Sequence, residues 1–338
     1  MIGLARPSAA LAILVAFAPI PGVADAPAAA NVAGAAARAP VPAEISIPGE
    51  KIYPESITAA ADGRLFIGSI VTRQIFAVKP GAAAAQTWIS ADSETTLGAY
   101  GVFADDKSNT LWACFSSFPG SKEHWWTTQA PSALRAYDLR SGKLKTQYVL
   151  PTHGAFCNDI AVGVDGSVYV TDTENMEIDR LGRGDTELRV WAGSGGFGPK
   201  GGVLDGISVL ADHVIVNTLV TGKIFSVPIA ADGKAGAISL VTLNRPILEP
   251  DGMRRFGPDS VLLVESGGKG RLSLLKIHGA AGDVTTLKEG YPDGPVSVAV
   301  VGTSGYVLEG QLGALFGPPG QSHVIRPFHA TAMDVGNP

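Results

Sequence analysis

A short two-strand pattern recurs along this 338-residue chain at an interval of about 45 residues. A typical copy contains a polar residue, a short apolar strand, a turn and a second strand. The copies start 45, 58, 47, 46 and 45 residues apart, at Glu55, Tyr100, Asn158, Asp205, Asp251 and Val296. A period of this length with several strands per unit is typical of propeller blades. The sequence therefore predicts an all-β fold, a six-bladed β-propeller.

Two further segments bear on how the propeller closes. The segment AEISIPG at 43–49 alternates apolar and polar residues as a half-buried strand does. We expect it to supply the outer strand of the last blade, which joins the two ends of the chain and removes an exposed sheet edge. The C-terminal segment SHVIRPF, residues 322–328, is expected to help complete the same blade.

The repeat also predicts a functional site. The innermost strand of each propeller blade lines the central channel, so residues at one repeat position converge on the axis. Here that position carries carboxylate or amide oxygens in four of the six copies: Glu55, Asn158, Asp205 and Asp251. Carboxylates this close repel one another unless a cation lies between them. Oxygen ligands without sulfur or imidazole suit a hard ion such as calcium, and another divalent cation would satisfy the same rule.

An alternative explanation exists for each acid taken alone. Asp-Gly and Pro-Asp-Gly are common turn signals, so any one of these carboxylates could simply end a loop. Four oxygen donors at a single repeat position favour the metal site. The second strand of five copies ends in a small, polar or acidic residue, which could support the ring from behind or be an ordinary strand end. These residues are Ser69, Asp172, Asn217, Glu265 and Glu309.

The N-terminus indicates export. Arg6 precedes an apolar run, Pro19 and Pro21 interrupt it, and Ala24-Asp25-Ala26 matches a signal-peptidase site. The run is too short to span a membrane. We therefore predict a signal peptide at 1–26, an Ala/Pro-rich flexible leader at 27–42 and the propeller at 43–338, in a periplasmic or secreted protein. With 26 Lys+Arg against 31 Asp+Glu, nothing basic favours nucleic acid as a partner.

The two cysteines, Cys114 and Cys157, fall on a strand of the second repeat and at the start of the third. An oxidising compartment would permit a disulfide between them, and two buried free thiols are the alternative. The sequence leaves both open.

The second repeat contains an insertion, SSFPGSKEHWWTTQAPS, between its strands. Trp125 and Trp126 are adjacent in this polar loop, which could overhang the channel mouth and offer a ligand an apolar wall. The alternative is that both indoles pack against a neighbouring blade. His153, five residues before Asn158, is a candidate proton shuttle, although a lone loop histidine is more often structural or solvated.

The chain resembles the senescence marker protein/gluconolactonase/luciferin-regenerating enzyme family over roughly residues 43–320. The elements that carry the resemblance are Pro54-Glu55-Ser56, Asn158-Asp159 and Pro250-Asp251-Gly252-Met253. The resemblance implies a six-bladed propeller with a divalent ion, commonly calcium, on residues matching Glu55, Asn158, Asp205 and Asp251. It also implies lactone-ring opening, with Asp251 in the position of the proposed base.

Two departures from the family pattern bear on the substrate. The family usually has Asn where this chain has Asp205, so a third carboxylate is present here. Sugar-lactone members tend to have an arginine two residues before the third-blade Asn, where this chain has Phe156. Losing a donor and gaining an aromatic residue favours a ring less polar than a sugar lactone.

We therefore expect a calcium-dependent hydrolase that opens a lactone ring, with Asp251 as first and Asp205 as second candidate base. Tyr100, Phe156, His153, Trp125 and Trp126 are the candidate substrate-binding residues. The alternatives are an exported binding module with a structural calcium, a strictosidine synthase-like propeller enzyme, which does not depend on the acidic ring, and a lyase acting on a cyclic ester. If the protein is a hydrolase, its partner is a small-molecule substrate. The sequence does not reveal the oligomeric state.

Overall fold

A computed structural model describes residues 42–91, 97–117, 131–193, 195–317 and 326–337. The predicted signal peptide and nearly all of the leader lie outside these residues, so both stay predictions. In the described residues the strands form six antiparallel sheets, one of which gains a short parallel strand at its edge. The predicted six-bladed β-propeller is confirmed.

Each blade consists of strands that are consecutive in the sequence, except where the chain termini meet. The first strand of the chain is β1 (Glu44–Ile47). Blade one contains β2 (Pro54–Ala59), β3 (Leu65–Ser69), β4 (Ile75–Val78) and β5 (Gln86–Ile89). Blade two contains β6 (Leu97–Asp105), β7 (Thr110–Ser117), β8 (Ala133–Asp138) and β9 (Leu144–Val149). Blade three contains β10 (Cys157–Val162), β11 (Val168–Asp172), β12 (Glu177–Leu181) and β13 (Arg189–Ala192).

The remaining blades follow the same order. Blade four contains β14 (Leu204–Leu210), β15 (His213–Thr218), β16 (Lys223–Pro228) and β17 (Ser239–Leu240). Blade five contains β18 (Thr242–Leu243), β19 (Pro250–Arg255), β20 (Ser260–Glu265), β21 (Arg271–His278) and β22 (Ala281–Glu289). Blade six contains β23 (Pro295–Val301), β24 (Ser304–Glu309), β25 (Phe328–Asp334) and β1. A five-residue helix, α1 (Leu312–Phe316), follows β24.

The two ends of the chain close the last blade, as the sequence predicts. Strand β1 pairs antiparallel with β25, with Ile45 opposite Ala330 and Ile47 opposite Phe328. The C-terminal strand of this blade, β25, begins at the last residue of SHVIRPF and continues to Asp334. The closure leaves β1 as the outer strand of blade six and ties residues near the N-terminus to the C-terminal end.

The core lies between the blades. Successive side chains of a strand point to opposite faces of its sheet, so each blade contributes to two interfaces. In β3, for example, Leu65 and Ile67 pack between blades one and six, whereas Phe66 packs between blades one and two. The strands near the axis are buried on both faces, and outer strands such as β5 are largely exposed. This burial explains why the strand pattern in the sequence is a short apolar run and not an alternation.

The inner strands close a ring around the channel. Each contacts the next one, in the order β2, β6, β10, β14, β19 and β23, and β23 returns to β2. A disulfide between Cys114 on β7 and Cys157 at the start of β10 connects blades two and three. Of the two possibilities left open by the sequence, the structure therefore shows the disulfide and not two free thiols. No helix among the described residues has the length and apolar character needed to cross a bilayer.

Candidate functional site

The inner strand of every blade has an irregularity at the same place. In all six blades the pairing between the first two strands skips one or two residues, directly after the first residue of the inner strand in five blades and after its third residue in blade two. In β2 the skipped residue is Glu55, between Pro54 and Ser56, and in β19 the skip includes Asp251. A bulge of this kind re-aims a side chain that a regular ladder would direct into an interface. The six repeat positions named from the sequence are all among the positions left without a cross-strand partner.

The backbone ahead of the inner strand is equally regular. In four blades the residue before the inner strand has a left-handed conformation: Tyr53 (φ 43°), Val203 (φ 59°), Glu249 (φ 47°) and Gly294 (φ 74°). This conformation is costly for a residue other than glycine, and most of all for a β-branched residue such as Val203. The chain keeps it at the channel mouth, where it turns each inner strand toward the axis.

All six repeat positions line one cavity of about 1140 Å³ at the mouth of the channel. The carboxylates of Glu55, Asp205 and Asp251 each offer an oxygen, and these oxygens lie within 4.8 Å of one another. Asn158 lines the same cavity. All four side chains are at least 93% buried. The structure thus brings the four predicted metal ligands together, and their role as ligands stays a prediction.

The amide of Asn158 is oriented by its neighbour. Its Nδ2 donates to Thr173 Oγ1 at 3.2 Å, and Thr173 Oγ1 donates in turn to the main-chain oxygen of Leu204 at 2.6 Å. Because Nδ2 makes this hydrogen bond, Oδ1 is the amide atom that remains available as a ligand. It has no hydrogen-bond partner among the described residues. Glu55 Oε2 and Asp205 Oδ1 are also buried without a partner there. Buried oxygens normally have a partner, so three unpartnered oxygens in one ring fit the oxygen ligands that a cation would need.

Burial and mutual repulsion raise the pKa of each ring carboxylate. For Glu55 the causes are first desolvation and then the charges of Asp205 and Asp159, partly opposed by Arg254. Desolvation, and next the charge of Asp159, raises the pKa of Asp205 to about 8. The pKa of Asp251 also lies well above its usual value, because of desolvation and then the charges of Asp205 and Glu55. The positive charge of a bound cation would oppose these shifts, because it favours the ionised carboxylates.

An ion pair that the sequence did not suggest lies in the inner-strand layer next to the ring. Arg254, on β19, donates from Nη1 to both carboxylate oxygens of Asp159 at 3.0 Å. Its Nη2 donates to Ser56 Oγ at 2.9 Å and to the main-chain oxygen of Val102 at 3.2 Å. Asp159 Oδ2 also accepts from the backbone of Ile207. This Arg254 hub connects the inner strands of blades one to five.

The oxygen-only donor set fits a hard divalent cation. Three carboxylates and one amide oxygen, without sulfur or imidazole, are ligands of the kind that calcium takes. The ring is formed by residues on four different blades, and each has a neighbouring residue that holds its strand in place. The Arg254 guanidinium already supplies one positive charge close to the ring, and it partly offsets the rise in the pKa of Glu55 that burial and the charges of Asp205 and Asp159 cause.

The strand-end residues do not touch a ligand position but hold the loops that lead into the inner strands. Ser69 donates to the main-chain oxygen of Ile52, and Asp172 accepts from the N–H of Phe156 at 3.0 Å. Glu265 and Glu309 accept in the same way from Leu248 and Asp293. Asn217 instead donates to the main-chain oxygen of Asp251 at 2.6 Å. These contacts position the backbone around each ring residue.

A second group of metal-ligating side chains, Asp293, Glu309 and His329, has a different character. His329 Nε2 lies 3.1 Å from Glu309 Oε1, and Arg326 Nη1 lies 2.8 Å from Asp293 Oδ1. The hydrogen bond to Glu309 is the largest cause that raises the pKa of His329, to about 9. Two acids are therefore matched by two cations, which makes this group an ion-pair network.

The predicted substrate-binding residues have different outcomes. Tyr100 and Phe156 line the cavity with their rings in edge-to-face contact at 4.7 Å, and Tyr100 Oη donates to the main-chain oxygen of Ser117. His153 is exposed in the loop between β9 and β10 and is not among the residues that line the cavity, so its position does not support a proton-shuttle role. Trp125 and Trp126 lie outside the described residues.

Sequence reasoning missed two parts of the site. Arg254 lies three residues after Asp251 in PDGMRR, and a basic residue on a strand predicted to line the channel was the available signal. Helix α1 was missed because LGALF is too short to show a helical period. All five of its residues line the cavity.

Comparison with known proteins gives a fold and no family. No protein-family profile matches the chain, and no curated protein matches it in sequence. Solved structures with the same fold include a gluconolactonase from Xanthomonas campestris, with 14% identity over 79% of this chain and 86% of that one at a TM-score of 0.59. A luciferin-regenerating enzyme has 10% identity over 86% of this chain and 94% of that one, at a TM-score of 0.61. Virginiamycin B lyase from Staphylococcus aureus has 17% identity over 79% of this chain and 80% of that one, at a TM-score of 0.57.

Proposed function

We propose that this chain is a calcium-dependent hydrolase that opens a lactone ring less polar than a sugar lactone. The single observation that carries the proposal is the ring of buried oxygens from Glu55, Asn158, Asp205 and Asp251 at the floor of a cavity large enough for a small molecule. The similarity in fold to a gluconolactonase and a luciferin-regenerating enzyme supports the choice of reaction. The sequence resemblance in the same residues points to the same reaction.

The proposed cation is held by these four side chains. Its chemistry, when bound, is to stabilise the negative charge that develops on the carbonyl oxygen of the ester. Three of the four side chains around the proposed cation are carboxylates. Their negative charge favours tight binding of a divalent ion.

Asp251 is our first choice as the general base. Its Oδ1 accepts from the N–H of Gly252 at 2.8 Å, which fixes the carboxylate and leaves the second oxygen to interact with the cavity. In the proposed reaction this oxygen accepts a proton from water while the water oxygen bonds to the acyl carbon. The ring C–O bond then breaks, and the proton passes to the departing alkoxide to give a hydroxy acid. Asp205 is the second choice.

The other ring residues and the walls have simpler tasks. Tyr100 and Phe156 present ring atoms, and the hydroxyl of Tyr100 is already bonded to Ser117, so this wall offers apolar contact. That environment suits a ring with few hydroxyl groups.

The disulfide between Cys114 and Cys157 is compatible with the predicted export to an oxidising compartment.

The direct test is acid release from a panel of lactones, from sugar lactones to alkyl- and aryl-substituted rings, followed in a pH-stat with the mature protein. We expect turnover with calcium, loss of turnover with excess chelator, and a reduction of about 10²-fold or more in Asp251→Asn. Asp62→Asn, in an exposed turn, is the matched control and should behave as wild type.

Two outcomes would overturn the proposal. If calcium raises the melting temperature but no lactone is opened, the cation is structural and the binding-module alternative gains support. If the product has the mass of the substrate and not that mass plus one water, the reaction is an elimination, as in a lyase. Wild-type turnover by Asp251→Asn at saturating calcium would remove Asp251 from the role of base.

A further inference from the structure

Helix α1 presents an apolar surface to the cavity that nothing in the proposed chemistry uses. Its sequence is Leu312-Gly313-Ala314-Leu315-Phe316, and none of these residues is buried. All five line the same cavity as the carboxylate ring. Phe316 is 49% exposed, so much of its ring surface is accessible beside the cavity.

The apolar surface continues from α1 onto the blades. Leu312 and Leu315 pack against a cluster that contains Ile70, Tyr100 and Phe156, and these three also line the cavity. The lining contributed by blade five and the loop into blade six is more polar: it includes Glu249, Ser266, Lys269 and Asp293, together with Tyr291 and Pro292. The cavity therefore has an apolar wall and a polar wall above one set of carboxylates.

The apolar wall is held in position before any ligand binds. Gln311, at the start of α1, donates from Nε2 to the main-chain oxygen of Arg326 at 2.8 Å and accepts from its N–H at 2.9 Å. The N–H of Gln311 donates to the main-chain oxygen of Asp293, and Arg326 pairs with the Asp293 carboxylate. These bonds fix the base of α1 to the rim of the channel, so a ligand would not need to order the helix.

We propose that α1 forms the subsite for an apolar alkyl substituent on the ring of the substrate. This inference rests on the proposed function and adds the class of substituent and the residues that select it. The ester carbonyl lies at the carboxylate ring, and the alkyl chain extends from it along Leu315 and Phe316. Burying a chain against this wall removes apolar area from water on both partners, which is favourable in proportion to that area.

Chain length is the quantity that tests the subsite. Each added methylene buried on the wall should raise kcat/KM about threefold to fourfold until the wall is covered. Phe316→Ser should weaken this dependence, lowering kcat/KM for long-chain lactones more than for an unsubstituted lactone. Leu240→Ser is the matched control, because Leu240 is 52% exposed but lies on the outer strand of blade four, away from the cavity.

A second variant adds bulk instead of removing it. A Cβ at Gly313 would meet no atom within 4 Å, so Gly313→Leu has space at its Cβ and adds a side chain on a cavity-lining residue. Leucine also favours helix over glycine, so the fold should be retained. We expect Gly313→Leu to shift the preferred alkyl chain to a shorter length, with a larger loss of kcat/KM for long-chain lactones than for the unsubstituted ring.

The same series measured as binding separates this inference from the proposed function. Alkyl-substituted lactams, which resist hydrolysis, are titrated into wild type, Phe316→Ser and Gly313→Leu by calorimetry. Chain-dependent lactam binding that Phe316→Ser weakens supports the subsite even if no lactone is opened. Lactone turnover without chain-length dependence in wild type, or a dependence that both variants leave unchanged, overturns the subsite and leaves the hydrolase proposal standing.

Discussion

Arg254 and Asp159 form a buried ion pair in which Nη1 of Arg254 lies 3.0 Å from each carboxylate oxygen of Asp159. The two residues are 95 positions apart and come from blades five and three. Each is close in sequence to a member of the carboxylate ring, since Asp159 follows Asn158 and Arg254 is three residues after Asp251. The pair therefore links the stability of the channel to the geometry of the candidate site.

Breaking this pair should be costly. Arg254→Met leaves Asp159 buried without its partner, and we expect a loss of about 3–5 kcal/mol in the free energy of unfolding, measured with urea. The double variant Arg254→Met/Asp159→Asn should lose less than the sum of the two single variants, because it removes the uncompensated charge. Strict additivity of the two losses would contradict a direct interaction.

Thr173→Val should weaken calcium binding without unfolding the protein. The variant removes the hydroxyl that accepts from Asn158 Nδ2, so the amide can rotate and turn Oδ1 away from the ring. Substitution of such supporting residues typically costs 10–100-fold in metal affinity, which calorimetry with calcium would measure. Thr58→Val is the control: Thr58 is also buried and binds the N–H of Ala104, away from the ring. Equal calcium affinities in the two variants would argue against the orienting role.

The pH dependence of stability should reveal the pair between His329 and Glu309. The folded-state pKa of His329 is raised to about 9, chiefly by the hydrogen bond to Glu309. A pKa raised on folding stabilises the protein fully below the unfolded value of about 6.5 and loses this effect as the pH rises through 9. His329→Gln should thus destabilise the protein more at pH 6 than at pH 10, as measured by urea unfolding.

His213→Gln serves as the comparison for that experiment, because His213 pairs with Asp212 at an exposed position. Its effect on unfolding should be small at both pH values. A loss in His329→Gln that is the same at pH 6 and pH 10 would contradict the ion pair.

Removing the disulfide should lower stability by an amount set by its loop. Cys114 and Cys157 are 43 residues apart, and the chain-entropy relation gives about 4 kcal/mol for a loop of this size. Unfolding of Cys114→Ala/Cys157→Ala in urea, compared with wild type under non-reducing conditions, measures the loss. The same midpoint for both proteins would show that the cross-link does not restrain the unfolded chain.

The sequence by itself determined the repeat, and with it the fold and the ring. A period near 45 residues places equivalent residues on one axis, so Glu55, Asn158, Asp205 and Asp251 could be grouped without coordinates. The outer strand β1 was predictable because AEISIPG alternates and an open blade edge needs a partner. These inferences succeed because they depend on local pattern and on symmetry.

Only the tertiary structure decided what surrounds the ring. The bond between Cys114 and Cys157 depends on a distance between two blades, which spacing in the sequence does not give. The Arg254 hub depends on side chains from blades one, three and five and main-chain atoms from blades two and four meeting near the axis. Helix α1 reaches the cavity through contacts at the channel mouth, and His153 stays at the surface although it is close to Asn158 in sequence. Repeats determine which positions are equivalent, but packing between distant segments determines which side chains touch.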